Sequence, residues 1–308
     1  MATPSDLAFL QQHPLLTPGD RRALLTLLAG RGGATHQAPL THSISGVKLQ
    51  RAAAQQRRIY RVFGSGDVDA PAEVAFEALS NLALIPAWDA LFKSARYLEW
   101  GRLEAGGGAV EAGRIHLVYG LPGVFPVSAI VLDRDFVLRA VRVYFPSGVC
   151  VLCCRSAGAG EGGDGDPGPS RRMIRGFMWS SGYVVAPTGS ASCAVNMSLQ
   201  VDPKGWIPSA IVNLSLEAIP LNLLRLRSAL KQLPPGLAGR LGVMNLRQAA
   251  GAKPLGAGRP RSAPGTSAAG SASGSDGEGE EEEGGGAWLP ARESWDDVAE
   301  AAGGALPP

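Results

Sequence analysis

The sequence predicts an α+β fold in which a curved antiparallel β-sheet wraps around one long C-terminal α-helix and encloses an apolar cavity. Three observations predict it. A short helical pattern occurs at residues 69–80, a series of segments with apolar side chains at alternate positions follows between residues 95 and 201, and a long amphipathic helical pattern ends the series at residues 208–232. The apolar face of such a sheet must be covered, and the last helix can cover it.

The first elements of this domain are a strand and a short helix. Apolar and β-branched residues at 59–63 indicate the strand, and two glycines follow it. Asp69 is placed to cap the helix, and Pro71 fits near its first turn, where a proline costs no hydrogen bond.

The helix is followed by strands that form a long antiparallel meander. Their alternating patterns lie at 95–100, 114–119, 128–132, 137–145, 149–155, 173–179, 183–186 and 193–201. In the last of these, Val195, Met197, Leu199 and Val201 share one face. The pattern of one strand does not decide which face is inward, and Met197 is a candidate cavity residue.

The C-terminal helix is predicted to close the cavity as a lid. Pro208 presets the helical φ at its opening turn. Apolar residues then recur at three- and four-residue steps, which places Ile211, Leu214 and Ala218 on one face. These three residues are candidate ligand contacts.

Composition divides the chain into three parts. Residues 1–44 form an extension with two short helical patterns that either packs on the domain or stays flexible. Residues 45–232 form the folded domain. Residues 233–308 are rich in Gly, Ala, Ser and Pro and contain the acidic run 280–283, so this tail is predicted to be disordered.

Charge follows the same division. Residues 253–308 hold 4 of the chain's 29 basic and 10 of its 27 acidic residues, which leaves residues 1–250 with a net charge of +8. A basic body can rest transiently on an anionic membrane. The Lys and Arg residues are scattered and match no base-reading motif, so we expect no nucleic acid partner. The acidic tail is a candidate contact for a protein partner.

The sequence predicts a cytoplasmic location with peripheral membrane contact. The N-terminus lacks the pattern of a secretory signal, although its few acids and several Arg, Ser and Thr leave organellar targeting open. No uninterrupted apolar run is long enough for a transmembrane helix. Three of the four cysteines lie in one apolar run, as reduced core thiols do. Cys150 and Cys153 have a CxxC spacing, but residues three apart in a strand point to opposite faces, so we expect no metal site.

We expect neither catalysis nor a cofactor. The chain has no nucleophile elbow, phosphate-binding loop or paired catalytic carboxylates. Gly158, Gly160 and Gly163 match the GxGxxG pattern of dinucleotide-binding proteins. Two prolines follow them where a helix should begin, and two neighbouring acids would repel a pyrophosphate. The match therefore does not indicate a dinucleotide-binding site.

Several short motifs resemble those of the START (StAR-related lipid transfer) family in order and separation. They are Trp88-Asp89, Arg134-Asp135-Phe136-Val137, Ile174-Arg175-Gly176, Tyr183 with Pro187, the run DPKGWIP at 202–208, and Asn213 with the ending 223–230. The resemblance implies a helix-grip fold and a cavity that carries one lipid or sterol.

Most of these motif residues are expected to be structural. Charges near strand ends should form ion pairs that hold the sheet edge, because an unpaired charge in a lipid cavity is costly. The residues assigned this role are Asp89, Arg134, Asp135 and Arg175, together with Gly205 and Pro208, which turn the last strand into the last helix. Trp88 and His116 are candidate ligand contacts, with a core or rim position as the alternative for the histidine.

The resemblance also implies where a cavity arginine should lie. Members that bind sterols or phospholipids carry an arginine six residues beyond the motif arginine, and this chain has Ala140 there. Arg142 has the parity of the motif arginine and can substitute, whereas Arg139 should point to the opposite face. A partner acid is expected to be missing, since Leu117 and His116 occupy the strand where it would lie.

Three functional hypotheses remain. The first is lipid binding and transfer between membranes, with the C-terminal helix as the gate. The second is ligand sensing, in which the lid or the tail recruits a protein partner. The third, an enzymatic cavity, requires a polar pair that includes His116 or Arg142.

Overall fold

The computed structural model describes residues 2–30, 40–52, 59–120, 131–157, 166–168, 170, 172–232, 253–254 and 289–290. The helices are α1 (Pro4–Gln12), α2 (Pro18–Gly30), α3 (Ala72–Ser80) and α4 (Ser209–Gln232), with a 3-10 turn at Ile85–Ala87. The strands are β1 (Leu40–Ile44), β2 (Val47–Ala52), β3 (Tyr60–Val68), β4 (Phe92–Ala105), β5 (Gly108–Tyr119), β6 (Asp133–Tyr144), β7 (Cys150–Ser156), β8 (Met173–Arg175), β9 (Phe177–Met178), β10 (Ser181–Gly189), β11 (Ser192–Asp202), β12 (Lys253–Pro254) and β13 (Leu289–Pro290).

The strands form one curved sheet in the order β1-β2-β3-β11-β10-β7-β6-β5-β4-β12. Its long ladders are antiparallel, and the short β8 and β12 pair in parallel with β6 and β4. Helix α4 packs against β2, β3, α3 and the 3-10 turn. The predicted α+β fold, a curved antiparallel sheet with a C-terminal helix, is confirmed. Among the helices that the structure describes, none is long and apolar enough to cross a bilayer.

The main core lies on the inner face of the sheet. Phe76 and Leu79 of α3, Leu138 of β6, and Leu223 and Leu226 of α4 are at most 2% exposed. Complete burial of one such side chain stabilises a protein by about 1.5–3 kcal/mol. These contacts hold α3 and the C-terminal half of α4 to the sheet.

A second core lies on the outer face of the same strands. Val141 and Val143 of β6 point away from the main core and pack with Leu10 of α1 and Leu24 of α2. The N-terminal helices therefore cover the outer face. Helix α2 also contacts β7 and β10 of the same sheet.

Asp20 joins α2 to this outer face. Its carboxylate is 1% exposed and accepts hydrogen bonds from Arg139 Nη2 at 3.1 Å and Arg155 Nη2 at 3.0 Å. It also accepts one from the backbone N–H of Thr17 at 3.1 Å, and the Asp20 N–H donates to Thr17 Oγ1 at 3.1 Å, which caps α2. Arg139 thus points outward, as its parity predicts.

Several local predictions need correction or lie outside the described residues. The N-cap position of α3 is Pro71, without a side-chain cap, so the capping role predicted for Asp69 is wrong. Strand β3 continues through Gly64, where a Cβ would lie 2.9 Å from Met197 Cε. The β1–β2 hairpin was not predicted, because its polar residues mask the alternation. Most of the predicted strand at 128–132 and nearly all of the tail at 233–308 lie outside the described residues.

Candidate functional site

A cavity of about 290 Å³ lies between the inner face of the sheet, α3 and α4. Strand β5 contributes Ile115, Leu117 and Tyr119, and β6 contributes Phe136 and Leu138. These are alternate residues, because successive side chains of a strand point to opposite faces. The volume is close to the lower end of the range of roughly 300–1,000 Å³ for small-molecule pockets.

Trp88 forms part of the apolar wall. Its ring is 4% exposed, and its Nε1 donates to the carbonyl oxygen of Ala78 at 2.9 Å. The ring meets Tyr183 edge to face, with centroids 6.2 Å apart. Because the indole N–H is already bonded inside the protein, Trp88 offers a ligand an apolar surface.

Arg142 lies at the polar end of the cavity and is 1% exposed. Its Nε donates to Ser80 Oγ at 3.0 Å, its Nη2 to Glu77 Oε1 at 2.7 Å, and its Nη1 to Glu111 Oε2. Glu111 lies directly opposite Arg142 in the β5–β6 ladder. All three guanidinium nitrogens therefore have partners within the protein.

Further bonds complete this polar cluster. Arg102 donates to Glu111, and the Tyr144 hydroxyl donates to Glu77. The two arginines pair with the buried Glu77 and Glu111, and Arg102 also pairs with the exposed Glu104. A buried ion pair is stable in the interior only when the other donor and acceptor atoms of its two side chains are also hydrogen-bonded, and most of these atoms are bonded here.

A second polar site links the cavity to α4 through Asp89. Its Oδ1 accepts a hydrogen bond from the N–H of Leu91 at 3.1 Å. Burial raises the pKa of Asp89 from 3.8 to about 6, against the opposing effects of the Leu91 N–H, Asn222 and Arg225. Asn222 and Arg225 belong to α4, so this carboxylate is a polar contact between the 3-10 turn region and that helix.

The model of the START domain matches residues 49–234. The chain belongs to the START domain family. Among solved structures, human STARD10 is similar with a TM-score of 0.57 and 19% identity, over 80% of this chain and 95% of that one. Human StAR-related lipid transfer protein 5 has a TM-score of 0.55 and 15% identity, over 73% of this chain and 98% of that one. At these identities the two structures show a shared fold. A sequence comparison with curated proteins gives no match.

The START domain places four of the predicted ligand contacts in the cavity wall. They are Trp88, Arg142, Met197 and Ile211. Ala218 is half-buried but is not among the lining residues, and the side chain of Leu214 is not described. On β11, the face with Met197, Leu199 and Val201 contributes to the cavity, which decides the orientation that the strand pattern left open.

His116 requires a correction, because it lies on the outer face of β5 and does not line the cavity. Its two neighbours Ile115 and Leu117 point inward. The His116 Nε2 lies 3.0 Å from Asp135 Oδ2, which also accepts from Arg175 Nη2 at 2.8 Å. Burial lowers the pKa of His116 despite the bond to Asp135, so the ring is neutral at pH 7.

The remaining motif residues are placed at the opposite end of the cavity from Arg142. Arg134 lines the cavity and donates to the carbonyl oxygens of Pro203, Lys204 and Trp206 at 3.2–3.4 Å. Gly205 has a φ of +62°, and a Cβ there would lie 2.6 Å from Ile174 Cδ1. Pro208 directly precedes α4 and accepts hydrogen bonds at its carbonyl from the first turn of that helix.

The acid opposite the cavity arginine was missed. It is Glu111. The sequence-based prediction placed this acid at Leu117, which lies six residues further along β5. Glu77, the second partner, lies on α3 and is also buried. Glu111 has the parity of Leu117, but the predicted strand began at residue 114, whereas the strand of the structure begins at Gly108. The β5–β6 register was also lacking, because the long connection between these strands does not define it.

Proposed function

We propose that this START domain binds one neutral, largely apolar lipid, such as a sterol, and transfers it between membranes. The observation that carries the proposal is an apolar cavity at whose polar end each guanidinium nitrogen of Arg142 already donates to a group of the protein. A phosphate headgroup beside Arg142 would bring further negative charge close to the buried carboxylates of Glu77 and Glu111, which already pair with this arginine. A small hydroxyl or carbonyl group can approach the cluster without breaking these pairs.

The mechanism is burial of the ligand surface. A lipid that loses roughly 300 Å² of apolar surface to the cavity gains about 7 kcal/mol at ~25 cal/mol per Å². One of the similar structures is named a StAR-related lipid transfer protein, which supports a lipid as the cargo. The net charge of +8 on residues 1–250 supports transient contact with anionic membranes.

Helix α4 is the proposed gate. Its C-terminal half is held by the buried Leu223 and Leu226, and by Arg227, which donates to the carbonyls of Asp67 at 2.7 Å and Ser45 at 2.6 Å. Its N-terminal half contributes Ile211 to the cavity wall. We therefore expect the N-terminal half to move when a ligand enters or leaves.

Lipid analysis of the purified protein tests the proposal. Native and denaturing mass spectrometry of protein from a lipid-rich host should find one class of neutral lipid near one-to-one stoichiometry. Ala140 lies in the cavity wall beside Arg142, and Ala140→Leu should reduce the bound lipid by filling the cavity. The exposed Ala105 gives the matched control Ala105→Leu, which should retain it. No lipid after incubation with mixed liposomes, or a bound phospholipid, would contradict the proposal.

Sensing remains the alternative, and deletion of residues 251–308 separates it from carriage. Unchanged lipid transfer by the deletion variant favours carriage, whereas loss of a ligand-dependent protein interaction favours sensing. The enzymatic hypothesis loses support from the site itself. His116 is on the outer face, and each guanidinium nitrogen of Arg142 is bonded to a structural partner.

A further inference from the structure

Three large apolar side chains are exposed at one end of the sheet. Trp206 is 69% exposed, Leu132 47% and Phe177 37%. Leu132 directly precedes β6, and Phe177 pairs with Asp202 at the end of β11, four residues before Trp206. Single exposed apolar residues are common, but a group of three at one end of a fold indicates an interaction surface.

The turn that presents Trp206 is held rigidly. Lys204 and Gly205 both adopt left-handed backbone conformations, with φ of +54° and +62°. The guanidinium of Arg134, a residue only 6% exposed, donates to the Trp206 carbonyl at 3.2 Å and also to that of Leu132. One buried side chain thus fixes the main chain at two of the three exposed residues. A segment whose main chain is already fixed loses little backbone entropy when its exposed side chains bind.

The same end of the protein gives access to the cavity. Leu132 lines the cavity although it is nearly half exposed, so the cavity reaches the surface there. Pro203 and Ile207, which flank the turn with Trp206, also line the cavity. The exposed apolar group is therefore continuous with an opening of the proposed lipid site.

The charge at this end is positive. In the part of the chain that the structure describes, the charged side chains nearest the three apolar ones are Lys93, Asp133, Arg134, Asp135, Arg172, Arg175, Asp202 and Lys204, five cations against three acids, and the nearby Asp166 pairs with Arg114. Each of the three acids is paired, Asp133 with Lys93 at 2.8 Å, Asp135 with Arg175 at 2.8 Å, and Asp202 with Lys204 at 2.7 Å. Arg172 is exposed. It lies beside Leu132, because the residues that follow the two, Met173 of β8 and Asp133 of β6, are paired in the sheet. An apolar group with surplus cations fits an anionic surface.

We propose that Trp206, Leu132 and Phe177 form a docking surface for an anionic lipid bilayer, against which the cavity opens. The inference rests on the proposed function and names the part of the protein that meets the membrane. An exposed indole is suited to the bilayer interface, where its apolar ring and its N–H are both accommodated. Each nearby Lys or Arg strengthens binding to an anionic membrane by about fivefold.

Vesicle binding by the full-length protein tests the docking surface. Flotation with phosphatidylcholine vesicles that contain phosphatidylserine should show binding that weakens when phosphatidylserine is omitted. Trp206→Ala should weaken it by about tenfold or more, and Leu132→Ala by a smaller factor. Leu25 of α2 is 44% exposed and gives the matched control, since Leu25→Ala removes a similar surface elsewhere and should leave vesicle binding unchanged. Lys204→Glu tests the charge separately and should weaken binding by about fivefold or more.

A second measurement separates this proposal from the proposed function. Lipid delivered from cyclodextrin, without any membrane, should load the Trp206→Ala variant as it loads the wild-type protein, because Trp206 does not line the cavity. Vesicle binding that is equal for wild type and Trp206→Ala, or that is absent in the wild type, overturns the docking surface even if lipid is loaded. A wild-type protein that binds vesicles through Trp206 but loads no lipid supports the docking surface and overturns lipid carriage.

Discussion

Replacing Asp20 with alanine should destabilise the attachment of the N-terminal helices to the sheet. The substitution removes a carboxylate that is 1% exposed and leaves the guanidinium groups of Arg139 and Arg155 without their shared acceptor. It also removes the side-chain half of the α2 cap that receives the Thr17 N–H. Loss of one partner from a buried ion pair costs about 3–5 kcal/mol, which is a large part of the stability of a typical domain, about 5–15 kcal/mol.

Urea unfolding followed by circular dichroism measures this loss of free energy of unfolding, and thermal unfolding measures the matching shift in Tm. For a protein of this size, about 3–5 kcal/mol should lower the Tm by roughly 6–20 °C. Asp20→Asn should cost less, because it keeps the shape of the side chain and an acceptor oxygen. The control is Glu104, which pairs with Arg102 but is 71% exposed, so Glu104→Ala should cost less than about 1 kcal/mol.

The reasoning fails if Asp20→Ala and Glu104→Ala cost the same. It also fails if removal of residues 1–30 leaves a soluble protein of wild-type stability, since this deletion uncovers the apolar face formed by Val141, Val143 and their neighbours. Dye binding to exposed apolar surface would show whether the helices separate locally before the sheet unfolds.

Three further predictions concern two polar groups of the cavity wall and one glycine of β5. Arg142→Met should lower the free energy of unfolding by about 3–5 kcal/mol in denaturant titrations. Conversion of both Glu77 and Glu111 to glutamine in the same chain should restore most of the lost free energy. No restoration would contradict the ion-pair assignment. The folded-state pKa of Asp89, about 6, exceeds its ordinary value of 3.8, so this group adds stability as the pH falls through 6 and loses it as the pH rises. The stability of Asp89→Asn relative to wild type should therefore be greater at pH 7 than at pH 4, by up to about 3 kcal/mol. An equal difference at both pH values would refute this. At Gly113 a Cβ would lie 2.0 Å from the carbonyl oxygen of Glu99, so Gly113→Ala should lower the Tm strongly, whereas Gly168→Ala, with open space around it, should not.

The strands and α4 could be predicted because their local patterns agree with their surroundings. Residues Met197, Leu199 and Val201 alternate with polar neighbours, and the structure places that apolar face inward. Parity alone also separated Arg142 from Arg139, which point to the cavity and to Asp20 respectively. These predictions succeed because side-chain direction in a strand depends only on the count along the chain.

Predictions that needed register or a third layer failed. The pairing of Glu111 with Arg142 depends on how β5 and β6 align, which the connection between them does not define. His116 was a candidate cavity residue because the sequence does not show which face of β5 points inward, or that the outer face beside Asp135 is also buried. Burial on two faces also explains why polar residues such as Arg139 and Asp20 occur inside the protein as pairs.

The burial of β6 on both faces determines which wall of the cavity can move. Leu138 and Ala140 belong to the inner core, while Val141 and Val143 belong to the outer one, so neither face of this strand can shift without opening a packed layer. A larger ligand cannot gain room by bending this wall. The proposed gate α4 contributes Ile211 to the opposite wall of the cavity. We therefore expect α4, rather than this strand, to set the size of the ligand that the cavity accepts.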